Sequence, residues 1–135
     1  MIRILSLLFF VAAQTALSAP AAMCAGPNPA ITSVAVKNVT SNGSLNEYHI
    51  QGTVTNLGSQ GQSRNTLQFV DILQYGVHMD NRGIPPLAPG QSYSFGYVWQ
   101  RNAGAGTGTT PLEFRIRMVQ GTDCNPNNGD YRITF

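Results

Sequence analysis

The sequence predicts an all-β fold in which two sheets pack face to face, and three observations predict it. Short segments with an apolar residue at every second position recur along the chain. Glycine, proline and asparagine separate them, with 14 Gly and 8 Pro in 135 residues. After the first two dozen residues no stretch carries a 3.6-residue apolar period. About seven such strands, each with one apolar face, need a second sheet to cover them. About 110 residues suit a seven-stranded immunoglobulin-like β-sandwich, and the length allows one domain.

The chain opens with a targeting layout. Arg3 gives a positive start, Ile4 to Ala13 is apolar, and small residues run from Ala16 to Ala22. The apolar run is too short to span about 30 Å of hydrocarbon. Ala19-Pro20-Ala21 fits the small-x-small rule, so the expectation is a cleaved signal peptide over 1–21 and a mature domain over 22–135. A retained membrane anchor is the competing reading. Cys24 also raises a lipoprotein, but Met23 stands where a small residue is required.

The strands follow in order. Ile31 to Val39 is β-branched, and Ser41-Asn42-Gly43-Ser44 is a turn that admits positive φ. From Glu47 to Asn56, Tyr48, Ile50 and Val54 share one face, and His49, Gln51, Thr53 and Thr55 the other. Leu57 to Asn65 is a polar loop. Leu67 to Tyr75 is a third strand with two apolar faces, which calls for cover on both sides or for a bulge. Val77 to Arg82 reads as a short edge strand closing in an Asp80-Asn81-Arg82-Gly83 turn. Ile84-Pro85-Pro86 lacks ladder donors, and Leu87 to Gln91 is a turn. Tyr93, Phe95, Tyr97 and Trp99 give the fifth strand an aromatic inner face. Ala103 to Thr110 reads as a flexible loop. Leu112, Phe114, Ile116 and Met118 point inward on the sixth strand, and Glu113, Arg115 and Arg117 outward. A polar loop from Gly121 to Asp130 precedes a last strand through Tyr131, Ile133 and Phe135.

Cys24 and Cys124 are the only cysteines. In an exported chain they most simply form one disulfide. The first strand of such a sandwich starts at the end where the last two strands are joined, so the pair can meet without crossing the core. Closing about a hundred residues contributes about 4–5 kcal/mol in the chain-entropy model. Cleavage after Ala25 would instead leave a lone thiol, but Met23 at −3 opposes that cut.

The segment LAPGQSYSFGYVW, Leu87 to Trp99, resembles the signature of CARDB domains, cell-adhesion-related domains found in bacteria. Ala30-Ile31-Thr32-Ser33-Val34 after Pro29 is similar to the opening strand of that family. Val54-Thr55-Asn56-Leu57-Gly58 is similar to its V-T-N-x-G segment, and Asn127-Asn128 to its paired Asn before the last strand. The resemblance covers essentially the whole mature chain. It implies an immunoglobulin-like, non-catalytic module of larger surface or exported proteins. The expectation here is a lone domain, and the chain departs from the family in carrying Gly121-Thr122-Asp123-Cys124 where the family has an acidic stretch.

Charge narrows the function. Net charge is +2, and loss of Arg3 leaves seven basic against six acidic residues, or +1. That excludes a strong nucleic-acid footprint. Carboxylates are scattered, and no nucleophile elbow, zinc-protease run or phosphate loop is present, so no enzyme and no cofactor is expected. An outer-membrane barrel is opposed by length. The sequons at Asn38 and Asn42 matter only in a eukaryotic secretory route. Asp123, Asn125, Asn127 and Asp130 form a weak calcium candidate that lacks the closing Glu and the required Gly. His78 and Met79 with Met118 or His49 form a weaker copper candidate. Arg115, Arg117 and Arg132 should share one outer sheet face, with Glu113 the one nearby acid, as a basic patch for an anionic glycan or protein. The solvated face is the plainer reading of that patch.

The expectation is therefore an exported binding or adhesion-type module, periplasmic or secreted, with a protein or glycan partner and no membrane span after signal cleavage. The alternatives are a calcium- or copper-binding periplasmic accessory protein and a secreted enzyme inhibitor.

Overall fold

A computed structural model describes residues 24–104 and 108–135. The expected signal segment therefore lies outside the described residues, as does the centre of the expected 103–110 loop. Seven strands run as β1 (Pro29–Asn42), β2 (Leu45–Asn56), β3 (Leu67–Gln74), β4 (Val77–Ile84), β5 (Ser92–Asn102), β6 (Pro111–Gln120) and β7 (Asp130–Thr134). One 3-10 turn, Pro126–Asn128, precedes β7. The strands form two antiparallel sheets, β1-β2-β5 and β4-β3-β6-β7. The β2–β3, β4–β5 and β5–β6 connections cross between the sheets, so the fold is the expected β-sandwich.

The period-2 pattern places the core. Ile50 and Val54 from β2 and Phe95, Tyr97 and Trp99 from β5 face Val70 and Ile72 from β3 and Leu112 and Phe114 from β6. Gly52 leaves room for the Phe95 ring, which an added Cβ would strike. At one end Tyr48, Trp99 and Phe135 stack with ring centroids 5.2–5.9 Å apart. Tilted ring pairs of this kind add to plain area burial. Arg101 continues the inner row of β5, buried, with its guanidinium 5.5 Å from the Trp99 ring and Nη2 donating to Thr109 Oγ1.

Several expectations are corrected. The turn expected at Asp80–Gly83 does not form, and β4 continues to Ile84, paired with Gln68. The β3–β4 reversal lies earlier, at Tyr75 (φ 50°) and Gly76 (φ 77°), the two positive-φ positions that match strand twist in a tight hairpin. On β3 the inner face is Gln68, Val70 and Ile72, and a bulge at Ile72/Leu73 lets Leu73 be buried as well. Gln68 tolerates burial because it and Gln62 exchange reciprocal 2.7 Å side-chain hydrogen bonds, and its Nε2 also donates to Pro85 O. Tyr93 is 40% exposed rather than in the core, because it starts an edge strand covered from one side only. At the flanks of the expected flexible loop, Thr109 and Thr110 N–H donate to Phe135 O, and Phe135 N–H returns a bond to Thr110 O.

Asn56 is fully buried, and every polar group of its side chain is used. Its Oδ1 accepts from Asn28 N–H (3.0 Å) and Gly58 N–H (2.9 Å), and its Nδ2 donates to Gln60 O (2.9 Å) and Leu87 O (3.1 Å). Its backbone pairs with Gln91 O and Gly90 N–H. Those residues belong to the turn Ala88-Pro89-Gly90-Gln91, where Gly90 has φ 74° and Gln91 N–H donates to Ala88 O. Gly58 is required beside it, since a Cβ there would run into the Gly26 carbonyl oxygen. The lead-in strand is held from its other side by Cys124 N–H donating to Pro27 O and by the Cys24–Cys124 disulfide, with Cα atoms 5.8 Å apart.

Two outcomes follow. Asn56→Ala should cost at least about 3 kcal/mol in urea unfolding, because it strands buried donors and acceptors on three segments; a loss below about 1 kcal/mol would contradict this role. Denatured, unreduced mature protein should show no reactive thiol, whereas one thiol per chain would mean that Cys24 had been removed.

Candidate functional site: the outer face of the four-stranded sheet

Alternation on β6 puts Glu113, Arg115 and Arg117 on the outer side of the sheet, where both arginines are exposed but Glu113 is buried at 8% exposure beside Arg115 and Arg132. Register then supplies their neighbours. Glu113 lies opposite Arg132 and Arg115 opposite Asp130 on β7, while Asp71 lies opposite Arg115 and Phe69 opposite Arg117 on β3. The three arginines therefore do share one surface, as the strand order requires.

The surface is not the basic patch expected, because three carboxylates rather than one meet the arginines. Arg115 Nε donates to Glu113 Oε1 at 2.8 Å and lies 3.8 Å from Asp130. Arg117 binds both oxygens of Asp71, at 2.7 and 3.1 Å. Arg132 lies 3.6 Å from Glu113, and His78 lies 3.5 Å from Asp71. Asp71 and Asp130 arrive from neighbouring strands, so their contribution depended on register. The hydrogen bonds to Glu113 and Asp71 raise the pKa of Arg115 and Arg117 respectively above the usual guanidinium range. Such pairs, largely exposed on the arginine side, contribute little to stability, but hydrogen bonds orient the guanidinium groups of Arg115 and Arg117. Arg117 also covers the half-buried Phe69 ring at 4.9 Å. A small cleft of about 140 Å³ opens at the hairpin end of this face, bordered by Tyr75, Gly76, Pro111, Glu113 and Arg132.

The metal candidates are dispersed. Asp123 Oδ1 accepts the Asn125 N–H at 3.0 Å, Asn127 sits in the exposed 3-10 turn, and Asp130 faces Arg115. His78 and His49 stand on different sheets, and Met118 lies on the inner phase of β6, half-buried. Among the described residues no three His, Cys, Asp or Glu side chains are grouped to hold a metal ion. None of their helices is long and apolar enough to cross a membrane.

The strands define a seven-stranded β-sandwich with a charged outer face on the four-stranded sheet. Its fold is CARDB-like: it is similar to the CARDB domain of a Pyrococcus furiosus protein, solved in complex with di-metal ions, with a TM-score of 0.58. The two chains are 18% identical over 80% of this chain and 85% of that one. No protein-family model matches the chain, and no curated protein matches it.

Burial raises the Asp123 carboxyl above its ordinary pKa, outweighing the Asn125 hydrogen bond. The folded state thus holds that proton more readily than the unfolded chain, so stability falls as pH rises through the carboxylate range. Asp123→Asn keeps an oxygen acceptor for Asn125 and removes this cost. The variant should unfold at a higher temperature than wild type at pH 7, with the gap closing on acidification; a gap that widens toward acid would contradict the assignment.

Proposed function

We propose that the protein is an exported, non-catalytic binding module of adhesion type, cleaved after residue 21, whose recognition surface is the outer face of the four-stranded sheet. The observation that carries this reading is the shared surface of Arg115, Arg117 and Arg132, interleaved with Asp71, Glu113 and Asp130, with Arg117 lying over the Phe69 ring. Arginine and aromatic side chains on a rigid scaffold are the groups that dominate protein interfaces. Alternating charges favour a folded protein partner with complementary charges over a uniform polyanion. The CARDB-like fold supports the module reading, and the disulfide supports an oxidising compartment outside the cytoplasm. A calcium- or copper-binding accessory role is the second reading. It draws on the di-metal complex of the Pyrococcus domain, and metal content after gentle purification separates the two.

Labelled mature protein should be retained on isolated bacterial envelope preparations and lose retention after those preparations are treated with protease. The triple variant R115Q/R117Q/R132Q should keep its circular dichroism spectrum and be retained several-fold less. Equal retention of both forms across a salt series would remove this face from the role.

A further inference from the structure

We infer that the outer face of the three-stranded sheet is a second binding surface, built for a segment of acidic polysaccharide, in which Lys37, His49 and Arg82 receive the acid group and a hydroxyl ladder receives neighbouring sugar hydroxyls. This face lies on the opposite side of the sandwich from the arginine surface and does not depend on that reading.

Register sets up the cleft. Ala35, Gln51 and Gly96 are aligned across β1, β2 and β5, and the next row carries Asn38, His49 and Val98. The bulge between Val36 and Asn38 inserts Lys37 beside that second row. Gly96 has no side chain where its row meets the sheet edge, and an added Cβ there would find only Ile50 O, at 4.0 Å. The result is a depression of about 310 Å³ bordered by Lys37, His49, Arg82, Gly96 and Val98. That volume stands at the lower end of the range of small-ligand sites and suits one sugar unit of a longer chain.

The cleft keeps one cation without a carboxylate partner among the described residues, Lys37, and one guanidinium with a free edge, Arg82. Arg82 reaches around from β4, and its Nε donates to Gly96 O at 2.8 Å. Its Nη1 is taken by Asp80 and by Asn81 O, which leaves Nη2 for a ligand. Lys37 has no carboxylate within 4 Å among the described residues. Two acids border the cleft and both are engaged. Glu47 accepts from Gln100 and lies 3.9 Å from His49, and Asp80 is held by Arg82, which lowers its pKa below the usual carboxylate range.

The rest of the face explains why the ligand is a glycan. Thr32, Thr55 and Ser92 form a line of hydroxyls across all three strands, with oxygens 3.0 and 2.7 Å apart. Thr53 and Ser94 add a second, 3.5 Å apart. Each hydroxyl has one donor and two acceptor sites, so these bonds leave capacity facing solvent. Strand spacing of about 4.8 Å makes the array a flat polar grid. Half-exposed Val98 offers an apolar spot for the C–H face of a sugar ring. A protein hot spot needs aromatic anchors, and a single-stranded nucleic acid needs a stacking platform; the central rows of this face have neither.

Hexagalacturonate is the probe, with cellohexaose and inorganic phosphate as the neutral and the simple-anion arms, followed by two-dimensional NMR of the mature protein. Hexagalacturonate should shift resonances of β1, β2 and β5, weaken as salt rises from about 50 to about 300 mM, and bind at least about tenfold more tightly than either control. Lys37→Gln and Gly96→Val, the second filling open space on an ordinary strand, should each raise the dissociation constant at least about fivefold. The triple variant R115Q/R117Q/R132Q should bind like wild type. Absence of hexagalacturonate binding, unchanged affinity in both single variants, shifts confined to the other sheet, or phosphate binding as tight as the oligomer would each overturn the proposal.

Discussion

One buried amide holds this structure in register. Asn56 ends β2, where the chain must leave one sheet for the other, and its side chain meets three separate segments within hydrogen-bond distance. The lead-in before β1, the loop after β2 and the Pro-Gly turn before β5 all surrender backbone groups to it. A buried amide is costly unless every donor and acceptor is matched, and here all four are. The V-T-N-L-G and L-A-P-G-Q-S stretches thus make one joint rather than two features. Their resemblance to a known signature has a structural cause, and neither stretch needs a ligand to explain it.

The strands were legible because alternation is a local property. Phe95, Tyr97 and Trp99 read correctly from spacing alone, as did the inner face of β2. The Cys24–Cys124 pairing was legible because it follows from sandwich topology once the strands are known. What escaped depends on register. Asp71 lies 46 residues from Arg117 and Asp130 lies 15 from Arg115, and nothing in the sequence places either acid beside its arginine. Gln68 was hidden because a polar residue at an inward position breaks the apolar pattern until its partner Gln62 is seen. A signal for the cleft was present in Gly96, since a glycine inside an aromatic strand marks a missing side chain or a close approach.

The two outer faces are organised by opposite means. On the four-stranded sheet, carboxylates pair with the arginines, so the surface is close to balanced in charge. On the three-stranded sheet, small side chains and hydroxyls dominate, and the cations gather at one depression. Arg82 links the two, since it is rooted in one sheet and reaches the Gly96 carbonyl of the other. It occupies an acceptor on the free side of β5 and so blunts an edge that could otherwise recruit a foreign strand.

The placement of the disulfide also governs how the domain bears mechanical load. Tension entering before Cys24 passes through the sulfur bridge directly to Cys124, bypassing the hundred-residue span between them. Only the segment beyond Cys124, with its 3-10 turn and β7, lies in the line of force to Phe135. That segment can lengthen by no more than about 40 Å when drawn out fully. Apart from β7, the strands of both sheets therefore lie outside the direct line of force, whereas an unbridged sandwich would take the load on its first strand.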